Sequence, residues 1–382
     1  MPGAGRVNAL ARLSIHYANQ LRFDRAVEVG EEAMRLAEHA GDPDAAALAM
    51  DSLKLTALQL GDLPRLEELT RRLAQTFRGR AEDDFYLQWV LLEAAFVPLG
   101  AGRFEEAIAL FEEALDLTRR RGHRVHEPLF IDALCWAHRS RGDYPAAVAH
   151  GRAASELAYD LRHREWAAWT DATLGWALLE SRAPEAAVEC LERGLRTAEA
   201  AAATAQITRC TALLAWAQSM LGERPEAARH AARADELLAA VTGSPGRAWL
   251  FGAHAYLAVA RCHLDAGNPE RAEELAASIA VPGASSGWRE AHAAASLVLG
   301  QARAAIGRSD AAKRALDEAL VVAEEVGLPA PAWEAHACLA ALLAETGQQD
   351  EAEDHARRAR LGLERLGLPL SEADRRIRVA RG

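Results

Sequence analysis

Between Leu129 and Ala154 the chain reads LFIDALCWAHRSRGDYPAAVAHGRAA. An apolar run at helical spacing is broken at Gly142-Asp143, and a second helix follows with Ala147, Gly151 and Ala154 at fixed offsets. The same phrase returns at Thr211 to Ala234, and Ala107 to Leu115 ends another copy. With the turn residue as a ruler, the copies fall at Leu21, Gly61, Gly102, Gly142, Arg182, Gly222, Gly267, Gly307 and Gly347. By subtraction the steps are 40, 41, 40, 40, 40, 45, 40 and 40 residues. Self-similarity at a fixed period is the signature of a stacked repeat protein.

Three positions carry small residues. Five after the ruler sit Ala26, Leu66, Ala107, Ala147, Ala187, Ala227, Ala272, Ala312 and Ala352. Twelve after it sit Ala33, Leu73, Ala114, Ala154, Gly194, Ala234, Ile279, Ala319 and Ala359, and seven before it Ser14, Lys54, Ala95, Cys135, Gly175, Ala215, Ala260, Gly300 and Ala340. Small side chains there let two antiparallel helices and the next repeat approach closely, while glycine supplies the left-handed turn that ends the first helix. The second repeat is the poorest, with Lys54, Leu66 and Leu73, and its helices are expected to pack further apart. Val241 to Gly246 within the long step, and Val281 to Gly287, read as loops from their Gly and Pro content. Ser371 with Asp374 reads as a capping box opening one more helix. The organisation expected is 1–240, repeats one to six; 241–370, repeats seven to nine after a loop insertion; and 371–382, a C-terminal cap or tail.

At 382 residues the chain exceeds one ordinary globular core, a limit that a repeat array escapes because each unit touches only its neighbours. The formal charge of −11 disfavours direct nucleic-acid binding, which needs a basic face. The run Arg119 to Arg124 falls where a helix should end, and cations there complement the helix dipole. Five cysteines without a CxxC, at apolar helix positions, fit reduced buried thiols and a cytoplasmic protein. No apolar run is long enough to span a membrane.

The small-residue pattern resembles the tetratricopeptide repeat over nearly the whole chain. The unit is longer than the usual 34 residues, and most first-helix aromatics are replaced, Tyr17 and Tyr256 remaining. The longer unit is similar to repeats in sensor regions of bacterial signal-transducing ATPases and transcriptional activators, and also resembles those of peptide-sensing regulators and kinesin light chains. The resemblance implies an all-α, right-handed solenoid of about nine helix-turn-helix repeats. Six residues before the ruler stand Phe96, Trp136, Trp176 and Trp216 in successive repeats, and residues four and seven earlier share their stripe. In the family that stripe lines a concave groove. The resemblance therefore assigns Trp89, Phe96, Asp132, Trp136, Trp169, Trp176, Arg209 and Trp216 to ligand or partner binding, with Trp136, Trp176 and Trp216 as anchors. The alternative is that the stripe is buried packing between repeats.

No phosphate-binding loop, GxGxxG after a strand, HExxH or GxSxG occurs in the sequence. His123 and His126 lie beside three arginines, which disfavour a metal. The expectation is a non-enzymatic module, without metal or cofactor, that binds a peptide or partner-protein segment in bacterial regulation or assembly. The alternative is a sensor of a sugar or apolar metabolite within a larger regulator.

Overall fold

A computed structural model of the chain describes residues 3–77, 84–241 and 248–379. Among these residues there is no strand, and the helices pair as the period requires. The first six pairs are α1 (Gly3–Asn19) with α2 (Phe23–Ala40), α3 (Pro43–Leu60) with α4 (Leu63–Phe77), α5 and α6 (Asp84–Ala94, Phe96–Gly100) with α7 (Phe104–Arg120), α8 (Glu127–Arg141) with α9 (Tyr144–Asp160), α10 (Arg164–Glu180) with α11 (Pro184–Ala201), and α12 (Thr204–Leu221) with α13 (Arg224–Val241). A 3-10 turn (Leu250–Gly252) leads into α14 (Ala253–Asp265), paired with α15 (Pro269–Ser286). Then come α16 (Arg289–Ala305) with α17 (Ser309–Val326), α18 (Pro329–Glu345) with α19 (Gln349–Arg365), and α20 (Ser371–Val379). The sequence expectation of an all-α solenoid of nine helix pairs is met.

All nine ruler residues have positive φ, between 57° and 86°, with the non-glycines Leu21 at 57° and Arg182 at 63°. Each breaks the first helix of its repeat, as expected. A second set of left-handed residues lies twenty further on, at Gly41, Gly122, Arg162, Ala202, Gly287, Gly327 and Gly367, and turns the chain from one repeat into the next. All three small-residue positions are buried in every repeat, including the fully covered Leu66 and Leu73.

Two departures have local causes. The first helix of the third repeat breaks at Ala95, because Pro98 has no N–H for the carbonyl of Ala94. The expected loop at Val281 to Gly287 is helix instead. α15 runs through Pro282 to Ser286 and stops at the left-handed Gly287, twenty residues past its ruler position. Gly283 lets it pass close to the backbone of His292, where a Cβ would lie 3.0 Å from the amide nitrogen. The repeat frame thus overrides the loop composition. Of the loop expected at Val241 to Gly246, Val241 is the last residue of α13 and the remainder lies outside the described residues. One continuous apolar core runs from Leu21 to Leu328 on both sides of it.

The solenoid coils back onto itself. A Cβ at Gly61 would stand 2.5 Å from Leu250 Cβ and 3.0 Å from the Trp288 ring, and one at Gly142 would stand 2.5 Å from Pro329 Cγ. The turn edge of the early repeats therefore rests on the leading edge of repeats seven to nine. Hydrogen bonds and ion pairs join the coils: Trp249 Nε1 to Gln59 at 2.7 Å, Thr204 to Gln20 at 2.7 Å, and Arg139 to Glu290. Glu334 accepts three arginines, Arg261 (2.8 Å), Arg182 (3.2 Å) and Arg376 (3.4 Å). These charges hold its carboxyl well below the usual carboxylate range despite its burial.

Gly61 and Gly222 share a left-handed backbone, but only Gly61 meets another coil. Gly61→Ala should therefore cost at least about 1 kcal/mol more stability than Gly222→Ala, as overpacking does. Equal losses in chemical denaturation would contradict the stacking of the coils.

Candidate functional site

Inside the coil the first helices of repeats one to six surround a cavity of about 450 Å³. Its rear wall is Phe251 on the 3-10 turn of repeat seven, whose ring packs on Trp136 (4.7 Å between centroids), Phe96 (5.3 Å) and Trp169 (5.7 Å). A void of only about 60 Å³ lies behind it, walled by Arg139, Glu290 and His254. Side chains of the second coil fill the interior beside the tryptophan ladder. Trp89, Trp166 and Trp169 form the aromatic wall, with Trp89 and Trp166 tilted at 6.4 Å. His126 packs edge-on to Trp89, and Phe85 edge-on to both His123 and His126. His123 Nδ1 lies 3.0 Å from Gln88 Oε1. The histidine pair serves the aromatic cluster, and among the described residues no three potential ligands gather around a metal position.

Asp132 enters the cavity from α8 and is fixed on one side only. Its Oδ2 accepts from Trp169 Nε1 and from the Thr173 hydroxyl, both at 3.0 Å, while its buried Oδ1 has no partner. Thr173 in turn accepts from Arg209 Nη2 at 2.9 Å. Burial raises the Asp132 carboxyl to about 7, against the pull of the Arg209 charge. Arg209 is fully buried, bonds the neutral His254 through Nε at 3.0 Å and lies over the Trp169 ring. Burial lowers its own affinity for its proton.

A second polar cluster was not legible as functional. Lys54 occupies a position that holds a small residue in every other repeat. It is 1% exposed, and its ammonium pairs with Asp51 at 3.0 Å and with Glu93 at 3.2 Å. All three line the cavity. Burial raises Glu93 to about 7, and its Oε2 is buried without a partner. The signal in the sequence was the misfit itself, a charge where the repeat demands a small residue.

The assigned stripe divides. Trp89, Phe96, Asp132, Trp136 and Trp169 line the cavity, and Trp176, Arg209 and Trp216 do not. The three tryptophans expected as exposed anchors are packed: Trp136 is 2% exposed, Trp176 8% and Trp216 8%. Arg139 lies 3.4 Å over the Trp176 ring and Arg261 lies 5.3 Å over Trp216, so the ladder carries the ion pairs that tie the coils. The correction has a physical cause. An open groove would expose the ladder, but the second coil covers it. A larger cleft of about 1170 Å³ between repeats six and nine has a floor of small residues such as Ala227 and Ala231.

No protein family and no curated relative matches the sequence. Solved structures match in fold. A Rap protein complexed with Competence and Sporulation Factor is 13% identical, with 94% of this chain and 98% of that chain covered and a TM-score of 0.62. The Rap conjugation gene regulator of plasmid pLS20, in complex with the Phr* peptide, is 15% identical over 94% of this chain and 96% of its own, with a TM-score of 0.58. A signal-transduction ATPase with numerous domains and a tetratricopeptide repeat sensor, from Pyrococcus horikoshii, is 14% identical over 95% of this chain and 55% of its own, with a TM-score of 0.50. The chain thus shares its helical-repeat fold with these solved structures.

The two raised carboxyls make stability depend on pH. In the unfolded chain they release protons near about 4, in the folded chain near 7. Between those values the folded state binds more protons, so their contribution falls as pH rises. His254, buried neutral, acts in the opposite direction below about 6.5. The double variant Asp132→Asn, Glu93→Gln should therefore gain melting temperature relative to the parent as pH rises from about 5 to about 7. Parallel melting curves for the two proteins would contradict the burial of ionisable carboxyls.

Proposed function

We propose that the cavity is a binding site for a short peptide and that the protein is a non-enzymatic, cytoplasmic regulatory module. One observation carries the reading. An aromatic-walled cavity inside the coil is lined by Asp132 and Glu93, each of which has a buried carboxylate oxygen with no hydrogen-bond partner in the protein. A buried acceptor without a donor is costly, and a bound ligand that supplies the donor removes that cost. The neighbours in fold support the peptide reading, since one of them holds the Phr* peptide. Among the described residues no helix is long and apolar enough to cross a membrane. The site residues are Trp89, Trp169 and Asp132, with Phe96 and Trp136 as backing.

A second reading keeps its place because of size. A volume of about 450 Å³ lies in the range of small-molecule sites. A small metabolite with a flat apolar body and a hydrogen-bond donor would satisfy the same walls. Both readings make the module a sensor whose ligand touches six repeats at once.

Selection of short displayed peptides on the immobilised protein tests the proposal. Selected sequences should lose about 2 kcal/mol or more of binding with Trp89→Ala or Trp169→Ala, as anchor residues do. Unchanged binding to both variants would place the site elsewhere. Failure of every peptide, with a metabolite recovered from the cavity instead, would select the second reading.

A further inference from the structure

We infer that the ligand of this cavity brings a positive charge to Glu93, completing a buried cluster that is one cation short; this rests on the cavity being the binding site. Asp51 and Glu93 share a single ammonium, that of Lys54. Lys54 gives one charge to two carboxylates. Asp51 retains some access to water, its side chain being 21% exposed, whereas that of Glu93 is 9% exposed. The uncompensated acceptor is therefore Glu93 Oε2, which is buried and has no partner.

The surroundings favour an organic cation over water or a metal ion. Trp89, Leu92 and Phe96 flank Glu93 along the same stretch of chain and line the same cavity. A cation with an apolar body gains the aromatic faces as well as the carboxylate. The other ionisable groups lining the cavity are His16, Tyr86, Asp132 and Glu165, so the wall carries four carboxylates against one lysine. An anionic ligand would meet repulsion on every side. Glu93 holds its proton up to about 7, because burial outweighs the attraction of Lys54. A cation entering above that pH meets a carboxylate and below it a neutral acid. Affinity should therefore rise with pH through about 7.

The recognised group is a cationic nitrogen, which a peptide supplies through its amino terminus or through a lysine or arginine side chain. Three probes of one shape and different charge test it: phenethylammonium, 2-phenylethanol and 3-phenylpropionate, titrated by tryptophan fluorescence. The ammonium should bind at least about tenfold more tightly than the alcohol, in keeping with a charge-assisted bond, and the acid should bind most weakly. Glu93→Gln should bring the ammonium down towards the affinity of the alcohol and weaken its pH dependence, leaving only what Asp132 contributes. Lys54→Met should do the reverse, raising affinity for the ammonium by about tenfold because two carboxylates then await one cation. Peptides from the selection, with free or acetylated amino termini and with lysine replaced by norleucine, then assign the source of the charge. Equal affinity for the three probes, preference for the acid, or a flat pH profile in the parent protein overturns the inference while leaving the cavity as a site. Binding by none of the probes overturns the inference and counts against the cavity itself. The charge series and pH profile use the unaltered protein, so poor folding of a variant does not remove the test.

Discussion

The contact between the two coils governs this molecule. Repeats two to four place their turn glycines where a side chain would collide with Leu250, Val326 or Pro329. Backbone therefore meets side chain with no gap. Once the coils touch, the interior of the solenoid is no longer a groove. Phe251, His254 and Glu290 enter it from repeats seven and eight and pack on the tryptophan ladder. What remains open is the part enclosed by repeats one to six. The cavity is thus a product of the superhelix, and no single repeat contains it.

Buried charge marks the places where the coils are registered. Arg139 joins Glu180 in the next repeat to Glu290 in the second coil, and Glu334 gathers arginines from the turn between α10 and α11, from α14 and from α20. Such clusters contribute little net stability over apolar packing, but breaking one leaves a charge stranded. Their effect here is to fix which turn of the solenoid faces which. The same ladder links register to ligand site. Trp136 bonds Glu290 on one side and lines the cavity on the other, and Asp132 reaches Arg209 and His254 through Thr173. A ligand that pulls on Asp132 acts on side chains that pack against the second coil.

The repeat frame was legible because it is local. A left-handed residue about every 40 positions and three small positions around it announce a helical hairpin, although the Pro and Gly of Val281 to Gly287 read as a loop where α15 continues as helix. Contacts between coils join residues about 150 to 190 apart, such as Trp136 with Glu290 and Gln59 with Trp249. Nothing in one repeat encodes such a pairing, so Trp136, Trp176 and Trp216 looked like exposed anchors. Gly61 and Gly142 looked like turn residues alone, although each also serves as a contact surface. Lys54 was visible as an exception to the pattern, but its reason lay in Glu93, one repeat away.

The account depends on the chain being closed upon itself in solution, and small-angle X-ray scattering tests that directly. A compact chain of this length has a radius of gyration near about 21 Å. The stacked coils predict a value close to this, with little change at high salt because the joining ion pairs are buried. A radius half as large again would mean an open solenoid with an exposed tryptophan groove, and would contradict the account.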